Sequence, residues 1–262
     1  MLPRPRRSVL YMPGSNARAL EKARAQVCAA LKAKPFGRRE VIVRINALDS
    51  DWGEHDALAV AEAGPDAVLL PKVNSARDLH RLEHRLQHGA SQAAVWAMVE
   101  TARAILDLSG IASAGGRLQC LVMGTNDLVK ETAGCRLPER QNLLAALSLC
   151  VLAARANGLT AIDGVFNDLG DAEGFAGECR QGRAFGFDGK TVIHPAQIEP
   201  CNTIFAPSAE EIAAARRIIA AFEHPENAGK GAIQLDGHMI ERLHAEAARR
   251  LVALADAIAE RD

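Results

Sequence analysis

Nowhere does this sequence hold a run of about 18 apolar residues, so no segment of it is expected to cross a bilayer as a helix. An excess of charge is missing too. The 31 Lys and Arg stand against 32 Asp and Glu, which gives no reason to expect nucleic acid or a membrane surface as the main partner. The basic start, Arg4, Arg6 and Arg7, is followed by no apolar stretch of signal-peptide length, because Pro13 and Gly14 interrupt it. No Cys-x-x-Cys pair occurs among Cys28, Cys120, Cys135, Cys150, Cys179 and Cys201, and no His/Cys cluster has zinc spacing. These thiols read as reduced, small apolar residues of a cytoplasmic enzyme. Neither the Walker nor the dinucleotide glycine pattern is present. Long Ser-, Pro- or Gly-rich linkers, charge blocks and internal repeats are absent, and 262 residues is the usual length of one α/β barrel.

What is present is alternation. Short β-branched runs (Ser8–Met12, Val41–Ile45, Ala67–Leu70, Ala94–Val99, Cys120–Met123, Ala161–Val165 and Gly189–Ile193) are separated by amphipathic stretches such as Ala76–Leu86, Arg140–Asn157 and Ala172–Phe185. This pattern predicts βαβ units and a parallel sheet with both faces covered. Polar residues gather just past the strand ends: Pro13 to Asn16, Arg44 to Asn46, Lys72, Glu100, Asn126 and Asp127, Asp163 to Asn167, and His194. A parallel barrel builds its site there, and a doubly wound sheet would as well. The barrel domain is expected over residues 1–206 and a separate tail over 207–262. In the tail, Ser208 caps a helix to about Phe222, a Gly-rich turn covers Asn227 to Gly231, and a last helix runs from about Met239 to Ala259. The tail is read as packing on the barrel, on a neighbouring subunit or over the site.

Glu100 and Asp127 end neighbouring strands and are the metal candidates. Two protein oxygens, with water and substrate completing the shell, is how Mg²⁺ is commonly held. Alternatively Glu100 caps the next helix and Asp127 is a turn residue. Arg44 lies inside an apolar strand pattern and requires an anion, which is either a substrate carboxylate or a structural acid. Tyr11, Pro13, Gly14, Arg18 and Lys22 belong to a strand–turn–helix segment that could take phosphates at its helix start, or could be an ordinary capped helix with a solvated basic face. Lys72 is either a Schiff-base lysine or one arm of an ion pair at the barrel mouth. His194 is a base or a residue that holds its loop.

Taken together, Arg7–Gly14, Val43–Asn46, Leu70–Val73, Val99–Arg103, Gly124–Leu128, Ala161–Asp163, Gly186–Lys190, Ile193–Pro195 and Asp236–Ile240 resemble, in family order and over nearly the whole chain, the citrate lyase beta-subunit-like branch of the HpcH/HpaI aldolase superfamily. The resemblance implies an α/β fold, a TIM (β/α)₈-type barrel with a C-terminal helical extension, assembled as a homotrimer that binds Mg²⁺ (or Mn²⁺) and an acyl-CoA. It implies a carbon–carbon lyase acting on malyl-, citramalyl- or citryl-CoA to give an acyl-CoA and a 2-keto acid. The alternatives are a malyl-CoA thioesterase using the same site, with Glu241 activating water, and a non-catalytic citrate lyase-type subunit. By resemblance, Glu100 and Asp127 are the metal ligands and Arg44 holds the substrate carboxylate. Tyr11 through Arg18, with Lys22, contact CoA, and Asp163 lies in a second substrate-contacting stretch. Glu241 stands where relatives place an acid/base residue that reaches a neighbour's site.

Two departures stand out. Relatives read Asp-Arg-Pro-His where this chain has Glu241-Arg242-Leu243-His244, and the extra methylene alters the reach of the acid. Relatives also carry a further strand before Val-Arg-Ile-Asn. Here Glu21-Lys22-Ala23-Arg24 runs straight into Ala25-Gln26-Val27-Cys28. The sequence is read as closing over about 20 residues between Arg24 and Ala25, roughly one strand with its connection. The mass of the intact protein tests this: 28.0 kDa means the segment is truly absent, and a heavier chain means it exists.

Overall fold

The structure is a computed structural model and describes residues 7–12, 17–89 and 91–260. The strands, in chain order, are β1 (Arg7–Tyr11), β2 (Glu40–Arg44), β3 (Ala67–Leu70), β4 (Ala94–Val99), β5 (Leu118–Met123), β6 (Thr160–Asp163), β7 (Gly189–Lys190), β8 (Ala232–Leu235) and β9 (His238–Glu241). The helices are α1 (Ala17–Ala33), α2 (Gly53–Ala63), α3 (Ala76–His88), α4 (Ala102–Leu106), α5 (Leu108–Ala112), α6 (Thr125–Glu131), α7 (Leu144–Ala156), α8 (Ala172–Phe185), α9 (Ile198–Phe205), α10 (Ala209–Glu223) and α11 (Arg242–Ala259). Contacts divide the described chain into two compact units at Cys201/Asn202, within α9.

The first unit is a seven-stranded parallel sheet in simple chain order, β1 to β7. Strand alternation sorts its residues onto two faces. Ile42, Ala67, Leu69, Ala94, Trp96, Met98, Cys120, Val122 and Ile162 form one buried cluster on the inner face. Their sequence neighbours, such as Val43, Val68, Val95, Ala97 and Leu121, are equally buried and turn towards the helices. This is why these strands read as continuous apolar runs rather than alternating ones. In α3, Leu79, Leu82 and Leu86 supply the buried stripe, and Asp78 bonds the backbone N–H of Ser75 to set its start.

The order of elements is that of a (β/α)₈ barrel with one strand fewer. Across Arg24 and Ala25 the chain is a continuous helix, α1, whose Leu20, Ala23, Val27 and Leu31 are buried at helical spacing. β1 therefore pairs directly with β2, Tyr11 opposite Arg44, and no ladder joins β7 to β1 among the described residues. The consequence shows at β1. Val9 and Tyr11 share the parity of the inner face, yet each is about half exposed, whereas Trp96 is 3% exposed. At the other end of the sheet β7 has two residues rather than the five of Gly189–Ile193, and so short an edge offers little to pair with.

Two further boundaries differ from the sequence pattern. Arg140 does not begin a long helix. It lies in a 3₁₀ segment, Pro138–Leu143, with Glu139 and Arg140 both left-handed, and α7 starts only at Leu144. The guanidinium explains it, because Arg140 bonds inward to Asp163 and Gln181. In the second unit, Met239 is in a strand. β8 and β9 form an antiparallel hairpin turned by Asp236 and Gly237, both at positive φ, and α11 begins at Arg242. The Asp-Gly pair between two short apolar runs is the hairpin signal that accounts for this. In the same unit α10 packs on α11.

All six cysteines are free. Burial pushes the Cys150 thiol up to about 12. The neighbouring Cys201 thiol and burial raise Cys179.

Asp56, fully buried, ties the first unit's opening together. It accepts from Arg24 Nε at 2.9 Å and from the Asn46 side chain at 2.7 Å, joining α1, α2 and the end of β2. Asp56→Ala leaves Arg24 without its partner and is expected to cost about 3–5 kcal/mol in urea unfolding.

Candidate active site

The inner-face parity fixes which polar residues meet. Ile42 points inward, so Arg44 two residues on does too. Trp96 and Met98 point inward, so Glu100 follows. Val122 points inward, so the next inward position is Gly124. A Cβ on Gly124 would lie 2.3 Å from Glu100 Cβ and 2.7 Å from its Oε2, so glycine there is what leaves room for the carboxylate.

Glu100 is 1% exposed. Its Oε1 accepts the backbone N–H of Lys72 at 2.8 Å. Burial and then the neighbouring Asp127 carboxylate raise it above the usual range, against the Lys72 N–H and the charges of Arg44 and Lys72. Asp127 stands in the first turn of α6, and its Oδ1 meets Lys72 Nζ at 3.3 Å. Lys72 thus touches both acids, one through its backbone and one through its side chain. It does so from a left-handed backbone, φ 53°, which costs a residue with a Cβ on the order of 1 kcal/mol. The ion pair of Lys72, rather than a free amine, is what the structure shows.

Arg44 lies with its guanidinium carbon 4.8 Å from the centre of the Tyr11 ring, and its buried Nε has no hydrogen-bond partner. Among the described residues no acid pairs with it. Glu100, Asp127, Lys72, Arg44 and Tyr11 therefore collect at one edge of the sheet, at the carboxyl ends of β1 to β5. Nearby, Thr101 Oγ1 donates to Asn74 at 2.6 Å and caps α4 through the Ala104 N–H, so helix capping falls to Thr101 and leaves Glu100 free of it. Asn126 takes a bond from Arg136 at 2.8 Å and faces Asn167.

Other candidates lie elsewhere. Asp163 has the opposite parity to Ile162 and is fully buried on the helix side. It accepts from Arg140 Nη1 at 2.7 Å and Lys190 Nζ at 3.0 Å, and Lys190 also bonds Glu178 on α8 at 2.9 Å. His194 caps the 3₁₀ turn Pro195–Gln197, its Nδ1 accepting from Ala196 N–H. Glu241 is the N-cap of α11 in the second unit, its backbone N–H donating to His244 Nδ1 at 2.9 Å. Arg18 and Lys22 are exposed on α1, and Pro13 and Gly14 lie outside the described residues. The sequence pattern missed Gly124 and the double role of Lys72. An inward-parity glycine beside a buried acid was the signal for the first, and a positive φ leaves no such mark.

The donor set suits a hard divalent cation. One carboxylate follows the end of β4, and the other, expected at a strand end, stands in the first turn of α6, close enough to raise the first. No group of three or more His, Cys, Asp or Glu exists among the described residues to suit zinc. The HpcH/HpaI aldolase/citrate lyase family profile matches residues 7–195. The chain belongs to that family. Within it, the chain falls on the citrate lyase beta-subunit-like branch. It is 46% identical to a (3S)-malyl-CoA thioesterase of Cereibacter sphaeroides, over 97% of this chain and 96% of the relative. It is 32% identical to the citrate lyase subunit beta of Escherichia coli, over 97% and 94%. Among solved structures, CitE of Mycobacterium tuberculosis in complex with magnesium, acetoacetate and coenzyme A is 30% identical, covering 95% of this chain and 89% of that one, with a TM-score of 0.76. The thioesterase alignment runs to 279 positions, so roughly 25 of them have no counterpart in this family member. A strand with its connection has that size.

Two substitutions test the geometry. Gly124→Ala is expected to cost at least about 100-fold in activity by displacing Glu100, with an unchanged circular dichroism spectrum. Asp163→Ala leaves buried Arg140 and Lys190 with Glu178 as their one remaining acid and is expected to lower stability by about 3–5 kcal/mol. A higher KM at unchanged stability would instead make Asp163 a substrate contact.

Proposed function

We propose that this family member is a divalent-metal-dependent enzyme acting on a 3-hydroxyacyl-CoA thioester that carries a second carboxylate, with malyl-CoA the first candidate. The observation that carries this is the convergence of buried Glu100, Asp127 and the unpaired Arg44 Nε at one sheet edge. Glu100 and Asp127 would hold Mg²⁺ or Mn²⁺. When bound, such a cation acts as a Lewis acid towards the substrate oxygens. Arg44 binds the substrate's free carboxylate through a planar, charge-assisted fork, held in place by stacking on Tyr11. Lys72 fixes one oxygen of Glu100 through its N–H.

Two reactions fit this arrangement. The sequence alone put carbon–carbon cleavage first, to an acyl-CoA and a 2-keto acid. Hydrolysis to free CoA and malate moves forward because the 46% identical relative is a malyl-CoA thioesterase, whereas the citrate lyase beta relatives are 32–35% identical. We therefore place thioester hydrolysis ahead of the lyase reaction. A homotrimer, CoA contacts from Tyr11, Arg18 and Lys22, and an acid/base role for Glu241 remain part of this proposal.

The test is a panel of malyl-, citramalyl- and citryl-CoA with Mg²⁺ and with chelator. Free CoA with malate is the expected product pair. Glyoxylate or pyruvate with acyl-CoA makes the enzyme a lyase, and Mg²⁺ binding without turnover of any of them makes it a non-catalytic subunit. Chelator is expected to abolish activity, and Glu100→Gln and Asp127→Asn each to lower it at least about 100-fold. Full activity in either variant refutes the site. Glu241→Gln with unchanged kcat removes Glu241 from the chemistry.

A further inference from the structure

We infer that Lys72 is a resident counter-charge that couples metal binding to the binding of an anionic ligand; this rests on the metal site at Glu100 and Asp127 proposed above. The local charges are the starting point. Arg44 and Lys72 bring two positive charges, and Glu100 and Asp127, taken as the charged carboxylates that a metal requires of its ligands, bring two negative ones, so these four side chains balance. Adding a divalent cation leaves the site two charges positive, in surroundings where Glu100 is almost fully buried. A ligand carrying two negative charges restores neutrality. The substrate brings one through its free carboxylate, and the second develops on the thioester oxygen as the reaction proceeds. The lysine therefore disfavours metal alone and favours metal with a dianion.

The construction of the site supports a dedicated role for this lysine. Its ammonium sits 3.3 Å from Asp127 Oδ1, the same carboxylate that would ligate the metal. Its backbone is held at φ 53° although the residue is not glycine, and that conformation aims the N–H at Glu100 while the side chain reaches Asp127. Backbone strain of this kind persists where the surroundings enforce it, as they do at functional sites. The side chain is about half exposed (54%), so it contributes no core packing that its removal would destroy.

Because coupling between two ligands is reciprocal, it is measurable without turnover. Binding of Mn²⁺ to the full-length protein, alone and with oxalate as the dianion, is followed by calorimetry or by the electron paramagnetic resonance of free Mn²⁺. In the wild type, oxalate is expected to tighten Mn²⁺ on the order of 10–100-fold. Lys72→Met is expected to tighten Mn²⁺ alone by at least about fivefold and to lower the oxalate effect by as much, while Lys72→Arg stays within about twofold of wild type on both. Lys72→Gly, which keeps the N–H and accepts the left-handed backbone, is expected to match Lys72→Met and serves if that variant folds poorly. Unchanged or weaker Mn²⁺ binding in the variants lacking the ammonium overturns the inference while leaving the metal site standing. Wild-type binding no tighter than in the Glu100→Gln, Asp127→Asn double variant removes the metal site, and the inference with it.

Discussion

A carboxylate that water barely reaches must be given hydrogen bonds and opposite charge, and Glu100 imposes that demand on everything around it. Its oxygen holds the Lys72 N–H, Gly124 forgoes a side chain to make room for it, and Arg44 and Lys72 supply the positive field. The neighbouring acid, Asp127, raises the demand rather than relieving it. Two acids and two bases thus stand in balance at the carboxyl end of a parallel sheet, where the alternation of apolar side chains ends and the strands open into loops. In the proposed reading, a cation entering that balance would leave the site positive and attractive to anions.

Much of this was legible in the sequence because strand parity is strict. The spacing from Ile42 to Arg44 and from Met98 to Glu100 puts charged residues on the inner face just beyond an apolar core, and both are found there. The same rule, applied to Ile162 and Asp163, turns the aspartate outward, where it meets Arg140 and Lys190. What parity could not reveal was chain that leaves regular geometry. Lys72 and Arg140 sit at positive φ because their side chains and N–H groups are called to distant partners, and those partners are invisible from local sequence. The Asp236-Gly237 turn was visible as a dipeptide, but the short flanks did not declare a strand on its far side.

The strand count was legible in a different way, by a gap. α1 runs unbroken across Arg24 and Ala25, and β1 pairs directly with β2. In this pairing Tyr11 falls opposite Arg44, so the aromatic ring and the guanidinium meet at the site. The wall is thin there: Val9 and Tyr11 have inward parity and are about half exposed.

The two ends of this sheet are consequently secured by different forces. β1 is held by a five-residue backbone ladder along one side, and by little apolar cover. β7 has a two-residue ladder, and its anchor is the cluster of buried Arg140, Asp163 and Lys190 with the partly exposed Glu178. Burial of apolar surface gains little more on heating, whereas the cost of keeping charges out of water falls. Warming therefore shifts the relative strength of the two borders towards β7, while β1 keeps an ion pair of its own to β2, Arg7 with Glu40 at 2.7 Å.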